Sequence, residues 1–115
     1  MDTNAKTSNL RTMSQMMLSI AESYFASLDA VLKGEKRIVS VLSDSESNAR
    51  FEKHRMIIKV VEDIFTKLDP ISREIINNDF FHNENKFWWI KIYPTSTYYR
   101  LKNTALREFL ELYSN

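Results

Sequence analysis

The sequence predicts an all-α fold, and three observations carry that expectation. Only one of 115 residues is glycine, where average usage of about 7% would give about eight. Few positions can then take the left-handed backbone that tight hairpins and phosphate-cradling loops need. Apolar residues recur at steps of three, four and seven over long stretches, which is the period of a helix. A composition of 43% hydrophobic and 27% charged residues supplies both a core and a solvated surface, and fits neither a disordered tail nor a membrane protein. The length bounds the chain to a single domain, 1–115.

Each element follows from its spacing. From about Asn9 to Lys33, Leu10, Met13, Met17, Ile20, Tyr24 and Val31, with Leu28 beside them, form one stripe of a long amphipathic helix. Gly34 follows where a left-handed C-terminal cap is common, so a break is expected there. Glu35 to Leu42 reads as either helix or strand, with helix preferred, and Ser43 to Asn48 reads as a polar connector. Ala49 to Leu68 places Phe51, Ile57, Ile58, Val61, Ile64, Phe65 and Leu68 on one helical face. Asp69 and Pro70 form an N-cap and first position, opening a helix to about Phe80 that ends in the polar run His82 to Asn85. Lys86 to Tyr93 is short and apolar and is ended by Pro94; a strand is open there and a two-turn helix is preferred. Thr95 to Tyr113 then carries Tyr98, Leu101, Ala105, Phe109 and Leu112 at helical spacing, with Thr95 or Ser96 as cap. Within this one domain, residues 1–68 make an N-terminal helical scaffold or partner surface, and 69–115 the C-terminal region.

Composition excludes several functions. Cysteine is absent, which removes disulfide scaffolds, thiolate catalysis and cysteine-based zinc sites. The opening MDTNAKTSN lacks the basic and apolar regions of a secretory signal, and no apolar run approaches the length of a membrane span. A cytoplasmic location with no membrane partner is expected. No nucleophile elbow, HExxH, P-loop or dinucleotide fingerprint occurs, so neither an enzyme nor a cofactor is expected. His54 lacks a second ligand at helical spacing, and Asp79, His82 and Glu84 sit in a polar turn without a supporting motif, so no metal site is expected. Trp88 and Trp89 read as packing residues. Met13, Met16 and Met17 read as adaptable core or as a partner face.

The net charge of +1 conceals a local excess. Residues 86–107 hold Lys86, Lys91, Arg100, Lys102 and Arg107 and no acid, while 35–85 carry eight bases and ten acids. At about 100° per residue, the apolar set of the last helix falls on one side and Ser96, Arg100, Asn103 and Arg107 on the other. Arginine can bond guanine bidentately, asparagine can bond adenine, and serine can bond phosphate, so this line has the chemistry of a major-groove reader. An ordinary solvated helix face has the same composition.

The order DPISREIINNDFF, KFWWIKIY and PTSTYYRLKNTALREFLELY resembles the sigma region 4 type of helix-turn-helix. It is most like the phage late-gene transcription activators of the ArpU and RinA type, over about the last fifty residues. Arg73 to Ile76 match the family's first helix, Tyr98 to Lys102 its most specific run, and Ala105, Leu106, Arg107 and Phe109 the end of its recognition helix. The resemblance implies base and phosphate contacts at Thr95, Ser96, Thr97, Tyr99, Arg100 and Asn103, with Tyr98, Leu101 and Ala105 buried. The expected function is a sequence-specific transcription regulator on duplex DNA, its phosphate backbone held by Lys86, Lys91, Arg100, Lys102 and Arg107. The N-terminal helices would contact RNA polymerase or form a homodimer. The modest total charge and Pro94, at a turn where the family places a serine cap, favour the alternative of a helical protein–protein interaction module.

Overall fold

The computed structural model describes residues 2–37 and 45–115, with side chains described at 9–34 and 49–115. Helices α1 (Asp2–Arg37), α2 (Ser45–Lys67), α3 (Pro70–Ile76) and α4 (Thr95–Ser114) follow in order, and a π turn, Asn77–Phe81, continues α3. Among the described residues the fold is all-α, without a strand, and no helix is long and apolar enough to cross a membrane.

α1 and α2 run antiparallel, because Tyr24 donates to Glu62 at 2.9 Å while Ser27 meets His54 at 3.0 Å. Their inner faces supply Met17, Ile20, Ala21, Val61 and Ile64 to the core, and Leu68, just after α2, joins them. α3 and the π turn add Ile75, Ile76 and Phe81, and α4 adds Ala105, Leu106, Phe109 and Leu110. The rings of Phe65 and Phe81 meet edge to face at 4.9 Å, and Phe65 meets Phe109 at 5.7 Å. Such pairings add directional attraction to the burial of apolar area.

The start of α3 is doubly secured. Asp69 accepts the Ile71 N–H at 3.1 Å, with Pro70 in the first turn where its missing N–H costs nothing. Glu108 of α4 accepts the Asp69 N–H and the Ser72 hydroxyl, both at 2.9 Å, which ties the two helices together.

Four local expectations change. Gly34 does not end α1, which runs to Arg37, and no described glycine has a positive φ. A Cβ at Gly34 would lie 2.5 Å from the Phe51 ring, so the glycine makes room for a close aromatic contact. Residues 35–37 continue α1, and the expected segment from 38 to 42 lies outside the described residues. Residues 45–48, expected in the connector, belong to α2, which begins at Ser45; residues 43 and 44 lie outside the described residues.

The third and fourth differences bear on function. Lys86 to Tyr93 forms a chain of turns, with Ile90 N–H donating to Phe87 O at 3.2 Å and Tyr93 N–H to Trp89 O at 2.8 Å. Adjacent tryptophans on a regular helix would diverge by about 100°, whereas here both pack inward. Pro94, and neither Thr95 nor Ser96, holds the N-cap position of α4, and no side chain caps that end. Its carbonyl accepts the Tyr98 N–H at 2.9 Å.

Candidate nucleic-acid interface

Tyr98 and Lys102 lie four residues apart on α4 and so share one face. That face turns toward the π turn, where both meet Asp79. The Lys102 ammonium is 3.2 Å from Asp79 Oδ2, and the Tyr98 hydroxyl donates to the same oxygen. Trp88 Nε1 donates to Oδ1 at 2.7 Å. One carboxylate, with its side chain 8% exposed, thus gathers donors from α4 and from the turn segment. The Trp89 ring stacks on Tyr98 at 4.1 Å with 5° between planes, fixing the turn segment against the first half of α4.

Tyr98 is 3% exposed. Its burial, then its bond to Asp79, hold the phenol well above its ordinary pKa. Burial and the bond to Glu62 raise Tyr24 in the same direction. Below the ordinary phenol pKa of 10.0 both states keep their protons; above it the unfolded chain releases protons that the folded chain retains. Stability is therefore expected to fall as pH rises past about 10. Urea titrations at pH 8 and 11 check this. Tyr98→Phe should reduce the loss between the two, and an equal loss in that variant would contradict the assignment.

The remaining expected site residues separate by exposure. Thr95, Ser96, Tyr99, Arg100 and Arg107 are exposed on α4, Thr97 and Asn103 are half-buried, and Lys86 and Lys91 are exposed on the turn segment. Lys102 is a correction. Its side chain is 19% exposed, paired with Asp79 and lying 5.3 Å from the centre of the Phe80 ring, so it serves the fold and is not free to hold phosphate. Asn103 is also less available than a solvent-facing position would be.

Ser96 and Arg100 share a face, and Arg107 continues it seven residues on, about 10 Å along the axis at 1.5 Å per residue. Arg107 borders an open groove of about 490 Å³ with Met13, Leu110 and Glu111, so it stands at the far end of this strip, beside α1. No side chain caps the amides of the first turn of α4, where Thr95 and Ser96 are exposed. Such amides and the helix dipole favour an anion.

Asp79 is the residue that sequence reasoning missed. Its polar neighbours suggest only a turn, and its partners lie 9, 19 and 23 residues away. The usable signal is on the other side: Tyr98 and Lys102, a phenol and an ammonium on one helical face, call for a shared acceptor when that face is buried.

Among the described residues, no group of three or more histidine and acidic side chains is placed to hold a metal ion. No family model matches the chain, and neither a curated protein nor a solved structure matches it.

Proposed function

We propose that the chain is a sequence-specific transcription regulator that binds duplex DNA through the N-terminal half of α4. The observation that carries this reading is the exposed Ser96 and Arg100, facing away from the core in a segment, 86–107, that contains no acid. Arg100 supplies a bidentate donor for a guanine edge, Asn103 adds its exposed part, and Thr95, Ser96 and Tyr99 offer hydroxyls to phosphate. Lys86 and Lys91 hold the backbone from the neighbouring turn, and Arg107 extends the contact. The sigma region 4-like arrangement is part of the proposal, with a string of turns in place of the supporting helix. α1 would serve RNA polymerase contact or homodimer formation inside the cytoplasm. No cofactor takes part in this reading.

With Lys102 occupied by Asp79 and Arg100 assigned to a base edge, three cations, Lys86, Lys91 and Arg107, remain for phosphate. At about −0.9 per contact, the log–log salt dependence of binding should be about −2.7. A salt titration on mixed-sequence duplex measures this slope. Absence of binding at low salt would contradict the proposal.

A helical protein-interaction module is the second reading. Phe87, Ile90 and Ile92 favour it, since all three stand exposed beside the same cations.

A further inference from the structure

The turn segment that carries Lys86 and Lys91 has a second character. Phe87, Ile90 and Ile92 are 67%, 53% and 57% exposed. Their outward direction is not slack in a loose loop. Trp88 is tied to Asp79, Trp89 is stacked on Tyr98, and Tyr93 meets the edge of Trp88 at 6.5 Å. With those aromatics fixed inward, the three apolar side chains are the ones left outside. Lys86 and Lys91 are exposed among them, Arg100 is exposed on the adjoining helix, and no carboxylate occurs between 86 and 107.

We propose that residues 86–93 form an interfacial anchor, with Phe87, Ile90 and Ile92 entering the headgroup boundary of an anionic lipid surface and Lys86, Lys91 and Arg100 pairing with its phosphates. Apolar side chains interspersed with cations are what such a surface binds. Duplex DNA satisfies the cations but leaves three large apolar groups in water. A second copy docked by the same patch would set lysine against lysine with no carboxylate from this segment between them. The contact is peripheral, so it requires no spanning helix. It does not depend on DNA binding. Because Lys86 and Lys91 would serve both ligands, lipid and duplex should compete.

The test is partition onto vesicles of phosphatidylcholine alone and of phosphatidylcholine with one third phosphatidylglycerol. The only two tryptophans, Trp88 and Trp89, lie in the anchor, so brominated acyl chains report insertion directly. The full chain should sediment with the anionic vesicles and its emission should be quenched. F87S/I90S/I92S, at exposed positions, should keep its helical circular dichroism and lose the quenching. K86A/K91A should weaken partition by about 25-fold, from about fivefold per cation at about 1 kcal/mol each. Equal partition of parent and F87S/I90S/I92S, equal binding to neutral vesicles, or a parent chain left in the supernatant would each overturn the proposal. Duplex binding measured on the same preparations separates the two readings. Vesicle binding without duplex binding would support the anchor and remove the DNA reading, and the reverse result would remove the anchor alone.

Discussion

Replacing Asp79 with alanine is expected to destabilise the chain by about 3–5 kcal/mol, the usual cost of removing one partner from a buried ion pair. The loss is large because three donors are abandoned together. Lys102 keeps its charge in a site where its side chain is 19% exposed, and Trp88 Nε1 and the buried Tyr98 hydroxyl lose their acceptor. An unmatched buried donor costs more than a typical hydrogen bond contributes, because it keeps the desolvation penalty without the compensation. In thermal unfolding this corresponds to a fall on the order of 10–20 °C. Adding Lys102→Met to Asp79→Ala should recover part of the loss, since it removes the stranded ammonium while keeping the apolar stem. A cost below about 1 kcal/mol for Asp79→Ala would show that the three contacts do not hold α4 to the π turn.

Phe109→Ala should cost a similar amount, about 3–5 kcal/mol, by a different route. Phe109 is 0% exposed and sits where α4 faces Phe65 at 5.7 Å and Phe81 at 6.3 Å. Truncation removes apolar burial and leaves a cavity between α2, the π turn and α4, which the packed rings can fill only in part. Urea denaturation should show a lower midpoint with an unchanged slope. Phe109→Leu, which retains most of the volume, should lose clearly less. Equal losses from leucine and alanine would mean that ring contacts, and not occupied volume, set the cost.

Much of the fold was legible because it is local. Asp69 and Pro70 announce the start of α3 by a cap and a fixed φ, both properties of two adjacent residues. The centre of the buried face of α4 follows from spacing, with Tyr98, Ala105 and Phe109 inside and Ser96 and Arg100 outside, but the face is shifted: Leu106 and Leu110 are buried too, and Leu101 and Leu112 only in part. Gly34 was misread because a glycine serves equally for left-handed backbone and for close approach, and only the position of Phe51 tells which applies. KFWWIKIY lacks a usable period, since its apolar residues run almost without interruption. Which of them turn inward is decided by Asp79 and Tyr98, neither of which lies within it.

The same distinction divides the candidate site. Charge segregation made Lys86, Lys91, Arg100 and Arg107 visible in the sequence as exposed cations. Lys102 carries the same charge in the same run, yet its role is fixed by a carboxylate 23 residues earlier. Charge segregation alone does not separate an ammonium that waits for phosphate from one that is already paired; the position of Lys102 four residues after Tyr98, on the buried face, is what marks it. Lys102→Ala therefore belongs with Asp79→Ala as a stability variant, whereas Arg100→Ala should leave stability within about 0.5 kcal/mol, as for a surface position.

On the proposed function, the exposed face at the start of α4 reads base sequence. Selection of duplexes from a random pool by the parent chain, by Arg100→Ala and by Lys91→Ala measures this. One enriched sequence is expected for the parent, the same sequence bound more weakly by Lys91→Ala, and relaxed preference at one position for Arg100→Ala, worth about 1–3 kcal/mol of discrimination. Identical preference in the parent and Arg100→Ala, or no enriched sequence with the parent chain, would contradict it.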